Sequence, residues 1–320
     1  LIYKNVKSIL HIMLKIFLKP MLLIFSFIVG FVFYRIGEAA FLLPYLIQTM
    51  LLLIFLRLDF KELRFRRQHF VVWGANILIA LLFFGIFFWG AEKKFALAAF
   101  ITAITPSATA SPVIIAFLGG NVNFAATGLL MNNLLAAFVF PLLWPLVSGS
   151  EFSMQMFLTV FEYTAFLILL PFALALLIRL FYRPDAGFNR VSGNISFSAW
   201  LLTIILVAGK TALYLQQNPD ISKLITLEMG LLSLVICAAN FSVGYLLERG
   251  ILRRECSQLL GQKNTGLAVC LALEYASPIV ALAPTFYVLW QNLWNAFQLA
   301  QRARNEKATA AYEEPKSKAI

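Results

Sequence analysis

Long apolar runs, broken by short charged or turn-forming segments, organise most of this chain. A membrane helix needs about 20 mostly apolar residues to cross the hydrocarbon core. Cut at the breaks, the sequence yields ten such runs, at approximately 14–35, 40–57, 69–90, 94–118, 121–147, 153–181, 195–216, 222–248, 254–276 and 279–301. The breaks carry turn chemistry: Arg-Pro-Asp-Ala-Gly at 183–187, Gln-Asn-Pro-Asp at 217–220 and Gly-Gly-Asn at 119–121. The runs are continuous and do not alternate apolar with polar residues, which excludes an outer-membrane β-barrel. The pattern predicts an all-α polytopic membrane protein with ten transmembrane helices.

Composition agrees with that pattern. Of 320 residues, 61% are hydrophobic and only 13% charged, whereas a soluble domain carries about a quarter charged residues. The net charge of +11 would suggest nucleic acid on a soluble protein, but its distribution has another cause. Arg57, Lys61, Arg64, Arg66 and Arg67 follow the second run, Arg183 and Arg190 the sixth, and Arg249, Arg253 and Arg254 the eighth. Lys4 and Lys7 precede the first run; Arg302, Arg304 and Lys307 follow the last. With ten spans, all of these fall on one side, and the other side keeps little beyond Arg35, Lys93, Lys94 and Lys223. Positive loops face the cytoplasm, so both termini are expected there, in a multi-pass protein of a bacterial-type inner (plasma) membrane. Residues 1–302 are expected to form the transmembrane unit and 303–320 a charged, disordered cytoplasmic tail. Lys15 and Lys19 interrupt the first run and no small-residue cleavage site follows it, so no cleavable signal peptide is expected.

Enzyme chemistry finds no support. Cys237, Cys256 and Cys270 have neither metal nor redox spacing, and His11 and His69 lie near span ends without triad partners. No cofactor, metal, nucleic acid or obligate protein partner is expected. Asn132 and Asn133 in the fifth run are read as interhelical hydrogen-bonding residues. Glu255 is read as an end-of-helix residue at the start of the ninth.

Two runs are unlike the rest. The fourth contains Thr105-Pro106-Ser107-Ala108-Thr109-Ala110-Ser111-Pro112. Pro106 and Pro112 each remove a backbone donor and clash with the preceding turn, so a broken helix is expected, its second half opening with Ser111 as N-cap and Pro112 at the first helical position. The ninth contains Gly261-Gln262-Lys263-Asn264-Thr265-Gly266, two glycines bracketing four polar residues. Irregular backbone at this depth is tolerated only against protein or a water-filled cavity. Each break sits in the fourth span of a five-span half. Five is odd, so the halves insert in opposite senses, and paired interruptions in matching positions point to a transporter's central site.

Several short segments resemble the bile acid:sodium symporter family. They are Phe55-Leu56-Arg57-Leu58-Asp59-Phe60, Pro106 through Ser111 with Gly120-Asn121-Val122, Gly230-Leu231-Leu232 with Gly244-Tyr245-Leu246-Leu247, Asn264-Thr265-Gly266-Leu267-Ala268, and Trp290-Gln291-Asn292. The resemblance implies two inverted five-helix repeats with crossed, broken helices 4 and 9, a fold similar to sodium/proton antiporters. It implies a panel of spans 1, 2, 6 and 7 and a core of spans 3–5 and 8–10. Substrate would bind beside the crossing. Pro106, Pro112, Gly261 and Gly266 would shape the crossover backbone. Thr109, Ser111, Asn264, Thr265, Gln291 and Asn292 would contact a small organic anion.

The departures from the family bear on mechanism. At the first sodium site Ser111 remains, but Pro112 replaces an Asn and the hydroxyl positions read Ala125 and Leu129. At the second, the oxygen ligands read Leu259, Lys263 and approximately Leu78. A hard cation needs several oxygen ligands together, so both sites are expected to be lost. A lysine at the centre of a membrane helix costs about 2.5–3.5 kcal/mol and is functional by default. Lys263 is expected to replace the second sodium, either as a proton carrier or as a fixed structural pin. The function implied is alternating-access transport of a small carboxylate, sodium-independent and coupled to protons in the first case. A passive uniporter, channel or exchanger, or a sodium symporter with remodelled ion sites, stays open.

Overall fold

The computed structural model describes residues 21–317, apart from 23, 59, 60, 91, 109, 152, 183 and 220–222. Regular structure among these residues is helical, with one isolated antiparallel bridge. A first helix, α1 (24–32), leads into a 3-10 segment, Tyr34–Leu42. Then come α2 (Leu43–Arg57), α3 (Arg67–Gly90), α4 (Lys93–Ile104), α5 (Ser111–Phe117) and α6 (Val122–Ser148). They are followed by α7 (Met154–Phe181), α8 (Ala186–Gln217), α9 (Lys223–Leu246), α10 (Arg253–Gly261), α11 (Thr265–Tyr275) and α12 (Pro278–Ser317).

Six stretches of the described residues are long and apolar enough to cross a membrane: Tyr34–Arg57, Arg67–Gly90, Val122–Ser148, Met154–Phe181, Gly187–Gln217 and Leu224–Leu246. Their outward sides carry exposed Phe70, Leu78, Leu82 and Ile86 on α3, Leu158, Leu170, Leu177 and Phe181 on α7, and Leu224, Leu227 and Leu231 on α9. So much contiguous apolar surface belongs against lipid. The runs expected at 94–118 and 254–276 each resolve into two short helices, α4 with α5 and α10 with α11. At 12, 7, 9 and 11 residues, none of these halves spans the hydrocarbon alone. The last helix, α12, continues to Ser317.

The short helices occupy the centre. Residues 98–108 and 255–263 are buried without interruption. Ala96, Ala98, Ala99 and Ala103 have no exposed surface, and small side chains of this kind let helices approach closely. Here α4 meets α3, α9 and α12, while α10 packs on α9 and α3. On one side, α2 lies between α7 and α8, and α7 also packs along α6.

The N-terminal hairpin is set by glycine. The neighbours of Gly30 on α8 are Ile205 and Ala208, and those of Gly37 are Gly209 and Lys210. The chain then returns along α8 as α2, until Arg57 lies beside Gly193. The 3-10 segment therefore makes the reversal between the first two expected spans. A Cβ on Gly37 would sit 2.4 Å from the backbone of Gly209 and Lys210. Gly37→Leu is expected to destabilise the fold by about 1–3 kcal/mol, read as a lower thermal midpoint in detergent. Gly74→Ala, inside α3 and facing open space, serves as the control and is expected not to lower the midpoint, since alanine favours a helix interior over glycine.

Candidate functional site at the crossing of two interrupted helices

Two helices stop in the middle of the protein, and their loose ends satisfy each other. The first, α4, ends at Ile104, because Thr105 turns to φ −56°, ψ 144° ahead of Pro106. The second, α10, ends at Gly261, because Gln262 turns to φ −84°, ψ 98°. The extended segments that follow meet in an antiparallel bridge between Ser107 and Lys263. Ala108 N–H donates to the Gln262 carbonyl at 2.7 Å and Asn264 N–H to the Pro106 carbonyl at 2.9 Å. Helix ends leave donors and acceptors without partners, and in lipid each such group costs several kcal/mol. Pairing the two breaks removes much of that cost.

Side chains lock the crossing. Asn132 Nδ2 donates to Ser107 Oγ at 2.7 Å, and Asn133 Nδ2 to the Ser107 carbonyl at 3.0 Å. Ser107 Oγ donates to the Leu259 carbonyl, and the Tyr287 hydroxyl to that of Gly261 at 2.8 Å. Gly261 lies so close to the Phe241 ring that a Cβ would be 2.3 Å from it. Below the crossing, buried amides join α10 to α12: Asn295 Nδ2 donates to Gln262 Oε1 at 2.9 Å, and Gln258 Nε2 to Asn295 Oδ1 at 3.0 Å and Gln298 Oε1 at 2.7 Å.

Lys263 is 1% exposed. Its ammonium donates to the Ala103 carbonyl at 2.7 Å and to Asn76 Oδ1. Asn76 Nδ2 in turn donates to the Ile104 carbonyl at 2.7 Å. The charge therefore rests on the last carbonyls of α4, the negative end of that helix's dipole. No carboxylate is bonded to it among the described residues. A cavity of about 20 Å³ lies next to Asn76, lined also by Trp73, Thr105, Asn132, Phe140 and Thr164.

The residues expected to contact substrate divide. Gln291 reaches the crossing, where its Oε1 accepts the Lys263 N–H at 2.9 Å. Asn264 caps α11 by accepting the Leu267 N–H at 3.2 Å, and Thr265, the first residue of α11, is buried. Gly266 faces Ile47 of α2 and Thr203 of α8. Asn292 is turned to its own helix, donating to the Val288 carbonyl at 2.7 Å. Thr109 lies outside the described residues.

Two expectations are corrected. Ser111 is not an N-cap: Ala110 holds that position without a side-chain bond, and Ser111 and Pro112 are the first two residues of α5. The Ser111 hydroxyl is buried and finds no partner among the described residues. On α3, Leu78 points outward and is 68% exposed; Asn76 is the residue that meets Lys263. Asn76 was missed in sequence, where its only signal is a lone amide in an apolar run. Glu255 does sit at a helix end, but it is buried and braces the α5–α6 turn, accepting the Asn121 N–H at 2.6 Å.

No protein-family model matches the chain. It is similar to the uncharacterized sodium-dependent transporter YocS of Bacillus subtilis (strain 168), with 26% identity over 261 residues, covering 73% of this chain and 74% of that protein. Together with the apolar helices, this similarity supports a multi-pass membrane protein of the transporter kind.

Asn76→Leu would leave the Lys263 ammonium short of a partner and the Ile104 carbonyl without its donor. Losing a hydrogen bond to a charged group costs about 1.5–3 kcal/mol, so a clear drop in thermal midpoint is expected. The double substitution Asn76→Leu with Lys263→Met removes the buried charge as well. It is expected to be more stable than Asn76→Leu alone, because loss of both partners is cheaper than loss of one. Additive losses in this cycle would mean that the two side chains do not interact.

Proposed function

We propose that the protein is a secondary transporter of small organic anions that works by alternating access, with the Lys263 ammonium in the place of a coupling sodium ion. The observation that carries this reading is the seat of that ammonium. The Ala103 carbonyl and Asn76 Oδ1 accept from it at the crossing of two broken helices, and oxygen ligands are what a hard cation needs. An ammonium fixed there repels a second cation, so transport is sodium-independent, and release and reloading of its proton replaces ion binding.

On this reading the chain has ten spans in two inverted five-helix repeats, with both termini on the cytoplasmic side. The two-unit division would set α2, α7, α8 and the 3-10 segment, which pack together, against α3–α6 with α9–α12, and α7 packing along α6 would join the two units. Substrate would bind where the N-terminus of α11 faces α2 and α8. Asn264 and Thr265 offer hydrogen bonds there, Ser111, Gln291 and, from the sequence, Thr109 are further candidates around the crossing, and the positive end of α11 favours a carboxylate. Asn292, bonded within its own helix, would support the wall.

A second reading, a sodium symporter with remodelled ion sites, is favoured by the description of the Bacillus subtilis protein as sodium-dependent. Uptake of a panel of radiolabelled small carboxylates into proteoliposomes separates the two. A proton gradient without sodium is expected to drive accumulation of at least one of them, and Lys263→Gln to abolish the drive while leaving downhill equilibration. Accumulation that needs sodium and ignores pH would establish the second reading. Equilibration without accumulation under either gradient would leave a passive facilitator.

A further inference from the structure

We propose that Lys263 exchanges its proton with water through the small cavity beside Asn76, so that proton and organic anion reach the crossing along different walls. This rests on the reading of Lys263 as the coupling group. The Lys263 side chain leaves the crossing toward α3 and α4, where its ammonium meets Asn76 and the Ala103 carbonyl. Its backbone N–H instead faces Gln291 on α12, and the start of α11 faces α2 and α8. The ammonium is thus directed away from the wall on which the anion would bind.

The cavity meets the requirements of a water site. Its volume of about 20 Å³ accommodates a single water, which needs about 10–15 Å³ and polar partners. Asn76, the acceptor of the ammonium, is part of its lining, with Thr105, Asn132 and Thr164. Asn132 is 5% exposed, and its Oδ1 finds no partner among the described residues, so it can accept from a water there. The remaining wall is apolar, with Trp73, Phe140, Ile168 and Leu271 among its residues. That volume is enough for a water.

The proton step balances. One N–H bond of the ammonium breaks, nitrogen keeps the electron pair, and the water that takes the proton leaves as hydronium. The neutral amine still donates to the Ala103 carbonyl. Reloading is the reverse. Asn76 is a positioning residue that stands between nitrogen and cavity, and rotation about its soft terminal torsion opens the contact. The groups that meet the ammonium from α3 and α4 do not titrate. From α9 the titratable side chain near it is Cys237, which lies beside Tyr287 of α12.

Access can be read without a known substrate. Isocyanic acid, the small neutral molecule in equilibrium with cyanate, adds across one N–H bond of a neutral lysine amine to give a carbamyl group, with no second reagent; the extent at Lys263 is read by peptide mass spectrometry on the full chain in detergent. Lys263 is expected to be carbamylated in the unmodified protein. Val139→Ile and Ala136→Val, which fill the cavity lining, are each expected to slow the reaction at least tenfold. Thr203→Leu, which crowds the α8 wall, leaves it within twofold. Variants are compared only if their thermal midpoints show them folded, and two independent fillings guard against loss of one. No carbamylation in the unmodified protein, or equal rates in the filled variants, overturns the inference. The transport reading fails on a different observable, the indifference of accumulation to pH and to Lys263→Gln.

Discussion

The backbone pairing of Ser107 with Lys263 is the constraint on which the rest of the protein depends. A chain in lipid can abandon helical hydrogen bonding only where something else supplies partners. Here each broken helix supplies them to the other, through Ala108 to Gln262 and Asn264 to Pro106. Neither break is viable alone. The pairing therefore fixes where α4 stops relative to α10, and it directs four half-helix ends at one place. The close contacts around it follow from that geometry. Gly261 admits the Phe241 ring, and Gly128 admits Leu259, where a Cβ would lie 2.4 Å from the leucine side chain. Ser107 is held from three sides, by Asn132, Asn133 and Leu259.

The charge at the crossing is answered by dipoles, not by a counter-charge. A buried carboxylate beside Lys263 would form an ion pair whose two desolvation penalties rival its attraction. The carbonyls of Ala103 and Ile104 are already desolvated as the end of α4, and they must find donors in any case. Lys263 supplies one directly and Asn76 supplies the other while accepting from the same ammonium. One cation thus meets two needs, the C-terminus of a truncated helix and the oxygen cluster around it. The arrangement is compact enough that loss of Asn76 affects both at once.

Much of this was legible in the sequence because it is written in local chemistry. Pro106, Pro112, Gly261 and Gly266 mark the breaks through backbone preference alone, and Lys263 stands out in any apolar run. What failed depended on direction. Asn76 and Leu78 differ by two residues, about 200° around a helix at 3.6 residues per turn, so an approximate register placed the contact on the lipid side. The uniformly apolar composition of α3 offers no periodicity to correct the register. Ser111 was misplaced by one position for a related reason: proline is accommodated at the second residue of α5 as well as at the first, and only the local dihedral angles decide.

The polar residues of α12 bear on which parts of the protein can move together. Gln291, Asn295, Gln298 and Arg302 are spaced by four, three and four residues, which puts them on one helix face. Gln291 holds the crossing, Asn295 and Gln298 hold α10, and Arg302 Nη1 donates to the Phe117 carbonyl at the end of α5 at 2.9 Å. Glu255 closes the same turn from α10, and Gly119, at φ 67°, leaves room for the arginine. Breaking this line would expose several desolvated amides at once, each costing about 1–3 kcal/mol. The half-helices and α12 are therefore poorly suited to moving against one another. The contacts of α11 with α2 and α8 are of another kind, resting on Gly266 against the side chains of Ile47 and Thr203. Apolar contacts of that sort slide without stranding a donor or an acceptor. If the protein alternates between two open states, displacement at that seam would leave the crossing intact, and it would also have to shift α7 against α6, where Thr164 donates to the Ala137 carbonyl.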